Sequence, residues 1–232
     1  MSDRDVILGR IREATRDVPR EEADAWGPGE DADPASAYIR ERTLEPDRLV
    51  QLFAERCADY RATVTRCAAE PDAIGTAITD VCARHHAAKL AVPTDLPRGW
   101  APRGVELALD SPPLSTDELD ECAGVLTGCV VAIALTGTIV LDAAAGQGRR
   151  ALTLIPDLHI CVVQAEAIVA GVPDALRMLD PSLRAGRPIT LISGPSATSD
   201  IELKRVEGVH GPRRLEVVLA VRDRLRGEIQ LD

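Results

Sequence analysis

Residues 193–212 hold the side chains of this chain that are best suited to chemistry. Their sequence, SGPSATSDIELKRVEGVHGP, places the carboxylates of Asp200 and Glu202 a few positions before the imidazole of His210. Carboxylates and imidazoles can give or take a proton, and histidine is the side chain that titrates nearest neutral pH. The sequence therefore predicts Asp200, Glu202 and His210 as catalytic acid-base residues.

The first part of this segment is typical of an anion site. A glycine with hydroxyl neighbours, between a buried strand and the start of a helix, offers backbone N–H groups to an anion. In an open parallel sheet, the loops beyond the carboxyl ends of the strands also bind ligands. The candidate binding residues here are Ser193, Gly194, Ser196 and Thr198.

Helix capping explains part of the same segment without any ligand. Ser199 and Glu202 have the spacing of a capping box, which opens a helix, and Gly208 is a common helix stop. On this interpretation the segment is only a turn followed by a capped helix. The sequence leaves both interpretations open for the residues that precede Ser199.

Two further glycine turns could face a ligand. The first joins two apolar extended runs; its glycine can supply the positive φ angle of a hairpin, or its hydroxyls and amides can contact a substrate. The second carries two arginines, whose guanidinium groups bind carboxylates and phosphates, or it is a solvated turn. The binding candidates in these turns are Thr136, Gly137, Thr138, Gly146, Gly148 and Arg149.

The spacing of histidines and cysteines does not indicate a metal site. None of the six cysteines has another at the two-residue separation of zinc and iron–sulfur ligands, so we expect buried thiols. The adjacent His85 and His86 point in different directions on a helix, and His159 in a strand faces either the core or the sheet edge. No Gly-x-Ser-x-Gly pattern supports a hydrolase, and the sequence leaves the identity of any cofactor open.

Composition argues against several classes of protein. A net charge of -10 disfavours a nucleic-acid partner. No apolar run is long enough to span a membrane, and the charged N-terminus is unlike a signal peptide, so we expect a cytoplasmic protein. Hydrophobic residues make up 45% of the 232 residues and aromatic residues only 2%, so the core should be aliphatic, as in buried parallel strands.

The order of elements predicts an α/β domain behind an N-terminal appendage. Residues 1–36 are predicted to form an amphipathic helix and an acidic linker rich in Pro and Gly, and residues 37–232 the domain. Its alternating helices and strands imply a mainly parallel sheet. Strands between residues 125 and 141 are too close for helical connections, so some must be antiparallel and the sheet mixed. Residues 115–118 have the form of a capping box, which predicts the start of a helix. We also expect a strand at 152–155 and a helix at 166–179 that is interrupted at Gly171 and Pro173.

Taken together, these motifs resemble those of the lactate utilisation protein C family, whose domain is the LUD domain. The resemblance is carried by residues 136–141, 146–149, 152–156, 159, 193–202 and 208–212. It implies a three-layer α/β/α domain similar to the sugar-phosphate isomerase and coenzyme A transferase superfamily. One position departs from the family pattern: Leu135 stands where an acidic residue is usual, and leucine cannot serve as nucleophile or base.

The resemblance also implies a function. Family members take part in bacterial use of L-lactate beside two partner proteins, one of which carries iron–sulfur clusters. The chain is therefore expected to be a subunit of a system that oxidises L-lactate to pyruvate, with a small carboxylate or phosphate as its ligand. Two alternatives remain open: a stand-alone enzyme that acts on a phosphorylated or acyl/coenzyme A substrate, and a non-catalytic scaffold or regulator that recruits a partner through its N-terminal helix.

Overall fold

A computed structural model describes residues 8–10, 13, 44–198, 206–207 and 211–222. The chain divides into two compact units, Met1–Arg42 and Thr43–Asp232, and residues 8–10 and 13 of the first unit are helical. The acidic linker and the predicted catalytic residues Asp200, Glu202 and His210 lie outside the described residues. No helix in the described part of the chain has the length and apolar character needed to cross a membrane.

The second unit alternates helices and strands along most of its described length. The helices are α1 (Pro46–Asp59), α2 (Pro71–Arg84), α3 (Thr116–Asp120) and α4 (Val172–Arg184). The strands are β1 (Thr63–Ala68), β2 (Lys89–Val92), β3 (Glu106–Leu109), β4 (Gly124–Thr127), β5 (Val131–Ile133), β6 (Thr138–Leu141), β7 (Leu158–Gln164), β8 (Ile168–Val169), β9 (Thr190–Ile192), β10 (Ala197–Thr198), β11 (Val206–Glu207) and β12 (Arg214–Val221).

Six of these strands form a parallel sheet. Their order is β1-β12-β7-β4-β2-β3, and every neighbouring pair is parallel. The central strands β7 and β12 are almost continuously buried and aliphatic, as expected for strands that are covered on both faces. The predicted α/β fold with a mainly parallel sheet is confirmed.

The closely spaced strands form a second sheet, in the order β8-β5-β6-β9. β5 and β6 are antiparallel and are joined by a turn in which Gly137 has a φ of 57°. β9 pairs antiparallel with β6, whereas β8 is parallel to β5. The predicted antiparallel pairing is therefore confirmed, but these strands form a sheet of their own instead of extending the parallel one. Such a short connection between β5 and β6 leaves no room for a parallel crossover.

Helices and sheets pack in successive layers. α2 covers one face of the parallel sheet with a buried stripe that includes Ile74 and Ile78. On the opposite face, Phe53 of α1 and the inner side of the second sheet share one aliphatic core with β7 and β12. α4 covers the outer side of the second sheet through Ala175 and Leu179. The second sheet is thus enclosed between the parallel sheet and α4.

The helix starts follow local capping. α3 begins with the predicted capping box, in which the Ser115 hydroxyl accepts from the Glu118 N–H at 3.2 Å and the Glu118 carboxylate accepts from the Ser115 N–H at 2.8 Å. The helix predicted at 166–179 starts later, at Val172. Residues 168–169 instead pair with β5, and the Gly171 N–H donates to the Asp174 carboxylate at 3.2 Å, which caps α4.

Two expected elements differ in the structure. The strand predicted at 152–155 is wrong, because Arg150–Thr153 forms a 3-10 helix; so short an apolar run does not distinguish a strand from a single helical turn. The helix predicted to end at Gly208 does not reach that residue, because β11 pairs antiparallel with β10 as a two-stranded sheet. Its predicted capping pair, Ser199 and Glu202, lies outside the described residues.

Candidate functional site

A small polar cavity lies between the two sheets. Its volume is about 280 Å³, and its lining includes His159 and Leu215, which are the second residues of β7 and β12. The strand β9 and the residues that follow it close the other side. The polar side chains in its lining include Arg150, Thr153, His159, Ser193 and Ser196.

The segment 193–212 reaches this cavity from both of its ends. Ser196 and Pro212 both line the cavity, and the Ser196 N–H donates to the Pro212 carbonyl at 2.8 Å. However, this segment follows β9 of the second sheet and leads into the amino end of β12. The prediction that it lies beyond the carboxyl ends of the parallel strands is therefore wrong, since its preceding strand belongs to the other sheet.

A chain of hydroxyl groups joins two of the predicted binding motifs. Thr136 Oγ1 lies 2.7 Å from Thr138 Oγ1, and Thr138 Oγ1 lies 2.8 Å from Ser193 Oγ. Antiparallel pairing of β6 with β9 causes this approach, because Ile139 is opposite Ile192 and the next positions are Thr138 and Ser193. Thr136 and Thr138 thus contact the cavity wall through Ser193, which itself lines the cavity.

Gly137 and Gly194 both lie against the carboxyl end of α1. Their φ angles are 57° and 85°, in the left-handed region that favours glycine. An added Cβ would lie 2.7 Å from the Arg56 carbonyl carbon at Gly137, and 2.6 Å from the Tyr60 carbonyl oxygen at Gly194. Close packing and backbone conformation therefore explain both glycines, and Gly194 lines the cavity in addition.

Arg150 contributes a positive charge to the lining of the cavity. Its Nη1 donates to both the carbonyl oxygen and the Oγ1 of Thr153, each at 2.9 Å, and Thr153 Oγ1 in turn donates to the Arg150 carbonyl at 3.3 Å. None of the described residues that line the cavity is Asp or Glu. Among the described lining residues no carboxylate lies beside the Arg150 guanidinium, so its positive charge favours an anion in this part of the cavity.

Arg149 has a different environment from its neighbour. Its Nε and Nη2 donate to the two oxygens of Asp110 at 2.8 and 2.9 Å. Burial alone would raise the pKa of Asp110, but the hydrogen bonds from Arg149 and from the Leu114 N–H hold that pKa below its ordinary value. The Asp110–Arg149 pair connects the loop after β3 with the loop before the Arg150–Thr153 helix.

The other residues of that turn also hold the fold together. The Gly146 N–H donates to Asp95 at 2.9 Å, and the Gly146 carbonyl accepts from the Gly128 N–H at 2.8 Å. Gly146, Gly148 and Arg149 are not among the residues that line the cavity. Their predicted role in ligand binding stays a prediction, as does that of Thr198, which lies in β10.

His159 is both a core residue and a cavity residue. It is 1% exposed, and its Nε2 lies 2.8 Å from Thr127 Oγ1 on the neighbouring strand β4. Cys161 lies two positions further along β7, on the same face. The neighbouring Cys129 thiol and burial raise the pKa of Cys161 well above its ordinary value, although His159 lowers it in part. Cys161 is therefore a neutral thiol, which is a poor nucleophile.

The thiols are free, and four of the six are buried, namely Cys57, Cys82, Cys122 and Cys161. Burial raises the pKa of Cys57 to about 12, so that this thiol is also inert. Within the described ranges, no group of three His, Cys, Asp or Glu side chains is placed to hold a metal ion.

Sequence reasoning selected Arg149 for binding and left out Arg150, Thr153 and His159. Adjacent residues project in different directions, so a pair of arginines does not reveal which one faces a cavity. The partner of Arg149, Asp110, is 39 positions away along the chain. A local signal existed only for Thr153, whose spacing from Arg150 allows a side-chain contact within one helical turn.

Comparison with known proteins gives consistent matches. The sequence profile of the LUD domain matches residues 115–220. Lactate utilization protein C of Deinococcus radiodurans is 50% identical over 178 residues, which are 76% of this chain and 81% of that protein. Lactate utilization protein C of Bacillus pumilus is 38% identical over 91 residues, which are 38% of each chain.

A solved structure resembles this one. The crystal structure of a DUF162 family protein from Deinococcus radiodurans has a TM-score of 0.67 and is 42% identical, and the match covers 76% of this chain and 99% of that one. The shared fold and the extent of the sequence identity confirm the resemblance that the motifs indicated. The chain therefore belongs to the lactate utilisation protein C family of LUD-domain proteins.

Proposed function

We propose that this chain acts in bacterial lactate utilisation, as a cytoplasmic subunit of a system that oxidises L-lactate to pyruvate. The observation that carries the proposal is the 50% identity to Lactate utilization protein C of Deinococcus radiodurans over 81% of that protein. Identity at this level over most of a chain supports a shared role.

Oxidation of lactate to pyruvate releases two electrons and two protons. This sequence has no cysteine pair with iron–sulfur ligand spacing, so the proposal assigns electron transfer to two partner proteins, one of which carries iron–sulfur clusters. The chain itself supplies binding and proton transfer. Its proposed acid-base residues are Asp200, Glu202 and His210. These residues lie in sequence between Ser196 and Pro212, and both of the latter line the cavity, which supports the assignment.

The cavity favours this role over that of an enzyme for coenzyme A esters. Its volume of about 280 Å³ is at the lower limit of ligand pockets, which are typically about 300–1,000 Å³ for drug-sized molecules. A coenzyme A ester is much larger than such a space. Arg150 and the surrounding hydroxyls suit a small polar anion, which agrees with a role in the metabolism of a short hydroxy acid.

A complementation experiment tests the proposal. The gene for the relative is deleted in Deinococcus radiodurans, and this chain is expressed in its place. We expect growth on L-lactate to be lost on deletion and restored by this chain, while growth on pyruvate is unchanged throughout. Failure to restore growth on lactate, with the chain present in soluble form, would overturn the proposal.

A reconstitution assay tests whether this chain is a subunit of the lactate-oxidising system. The two partner proteins are purified and assayed for electron transfer from L-lactate to an artificial acceptor, with and without this chain. A subunit should raise the rate, whereas full activity of the partners alone would reject the subunit role. Deletion of residues 1–36 in the same assay tests the N-terminal helix as the element that recruits a partner.

A further inference from the structure

We propose that the cavity beside Arg150 binds a small monocarboxylate, and that Arg150 holds its carboxylate group through two parallel hydrogen bonds. The choice of a 2-hydroxy or 2-oxo acid within this class rests on the proposed function. The site itself follows from the position of Arg150, Thr153 and Ser193, which the sequence motifs did not combine.

The guanidinium of Arg150 is fixed with one edge turned away from its protein partners. Both Nη1 hydrogen bonds go to Thr153, at 2.9 Å each. Among the described residues, the structure gives Nε and Nη2 of Arg150 no partner. These two nitrogens form the edge that binds a carboxylate in a bidentate manner. A carboxylate ligand would therefore complete the hydrogen bonding of a side chain that Thr153 has already oriented.

The neighbouring arginine shows the same arrangement with its acceptor in place. Arg149 uses Nε and Nη2 to bind both oxygens of Asp110, at 2.8 and 2.9 Å. For Arg150, no acidic side chain of the described cavity wall supplies the equivalent acceptor. Arginine is permanently charged, so this position attracts an anion at any physiological pH.

The other polar groups suit the second oxygen of a hydroxy or oxo acid. Ser193 Oγ lines the cavity and is held at 2.8 Å by Thr138 Oγ1 on the adjacent strand. A hydroxyl can both donate and accept, so Ser193 can bind a carbonyl oxygen or a hydroxyl group after its contact with Thr138 is made. The volume of about 280 Å³ accommodates a short acid.

Isothermal titration of the full-length chain tests the proposal. The ligands are L-lactate, pyruvate, acetate and inorganic phosphate, each at constant ionic strength. Arg150→Met removes the charge but keeps most of the aliphatic length, and Arg150→Lys keeps the charge without the two-pronged geometry. Arg103→Met is the matched control, because Arg103 is exposed and does not line the cavity.

The expected result is saturable binding of L-lactate or pyruvate to the wild-type chain and to Arg103→Met. Binding to Arg150→Met should be weaker by about tenfold or more, since a hydrogen bond to a charged group contributes roughly a factor of ten or more in affinity. Arg150→Lys should be intermediate. If Arg150→Met is not folded by circular dichroism, Ser193→Ala replaces it. This variant should lose more affinity for lactate than for acetate, because acetate has no 2-hydroxy group for Ser193 to bind.

Three outcomes would overturn the inference: no saturable carboxylate binding to the wild-type chain, phosphate binding without carboxylate binding, or equal affinity in Arg150→Met. The complementation experiment distinguishes this failure from failure of the proposed function. Restored growth on lactate without carboxylate binding rejects the site and leaves the function in place. Binding that depends on Arg150 without restored growth rejects the function and leaves the site in place.

Discussion

Thr138 Oγ1 and Ser193 Oγ lie 2.8 Å apart, although 55 positions separate these residues in the sequence. Thr138 is 4% exposed, so its hydroxyl has little access to water and depends on protein partners. Its contact with Ser193 fastens the end of the edge strand β9 to the start of β6. The same contact fixes the direction of the Ser193 hydroxyl in the cavity wall.

Thr138→Val should therefore lower the stability of the fold. Valine keeps the branched shape that suits a strand but removes the hydroxyl, which leaves Ser193 and Thr136 without that partner. We expect the free energy of unfolding in urea to fall by about 1 kcal/mol. Thr136→Val is the control, because Thr136 is exposed and the loss of its hydroxyl leaves the contact between Thr138 and Ser193 in place. An equal loss in both variants would contradict the assigned role of Thr138.

Gly194→Ala should be more destabilising than its φ angle alone requires. The added methyl would lie 2.6 Å from the Tyr60 carbonyl oxygen, in addition to the strain of a φ of 85°. Gly186→Ala is the matched control, since Gly186 has a φ of 66° but no atom within 4 Å of an added Cβ. We expect about 1 kcal/mol of loss for Gly186→Ala and about 2 kcal/mol or more for Gly194→Ala, measured by urea unfolding.

Equal effects of these two substitutions would show that α1 does not pack against Gly194 as described. A smaller loss for Gly194→Ala than for Gly186→Ala would do the same. If the packing is as described, Tyr60→Ala leaves the cost of Gly194→Ala largely unchanged, because one of the close contacts is with the backbone oxygen of Tyr60.

Local patterns in the sequence predicted those parts of the fold that depend on neighbouring residues. The turn at Gly137 and the capping box at Ser115 are of this kind, because both are set by a few consecutive positions. The sheet to which β9 belongs was not predictable, since it depends on pairing with β6, about fifty residues earlier. The position of the cavity followed from that pairing, and for this reason the loop after β9 was expected at the wrong end of the parallel sheet.

The choice between Arg149 and Arg150 illustrates the same limit for the site. Both follow Gly148 in a turn that suits an anion, and the sequence gives no reason to prefer either one. In the structure, Asp110 accepts hydrogen bonds from Nε and Nη2 of Arg149, whereas Arg150 lines the cavity. The sequence thus indicates a cationic turn, whereas the different surroundings of its two arginines depend on Asp110, which is distant in sequence.

Arg149→Met should affect stability and its dependence on pH. The hydrogen bonds from Arg149 help to hold the pKa of Asp110 below its ordinary value. The ionised carboxylate of Asp110 therefore stabilises the folded state. This contribution is complete above the unfolded pKa of about 3.9 and is lost as the pH falls through the lower pKa of the folded state. The Arg149 side chain is 40% exposed, so we expect a loss of only about 1 kcal/mol at pH 7.

The difference between wild type and Arg149→Met in urea unfolding should be largest at neutral pH and should shrink below about pH 4. A difference that is constant from pH 7 to pH 3 would contradict an ionic role for the pair with Asp110. Carboxylate binding measured in Arg149→Met also tests the predicted ligand role of Arg149, since an affinity equal to that of the wild type would reject that role.

Asp142→Asn should destabilise the connection between α4 and the second sheet. The Asp142 carboxylate is 1% exposed and accepts from Ser182 at 2.6 Å and Gln147 at 2.8 Å, and it pairs with Arg187 at 3.0 Å. Asparagine replaces one acceptor oxygen with a donor, so at least one of these buried contacts becomes repulsive. We expect the free energy of unfolding to fall by about 2 kcal/mol.

Asp180→Asn is the matched control for that substitution. Asp180 also pairs with an arginine, Arg184, but it is 53% exposed on α4, so its loss should cost less than about 0.5 kcal/mol. Because Arg187 precedes β9, the strand that leads to Ser193, Asp142→Asn should also increase amide exchange in β9 more than in β7. Equal unfolding energies for the two variants, or exchange that rises uniformly through both sheets, would show that Asp142 does not hold β9 in place.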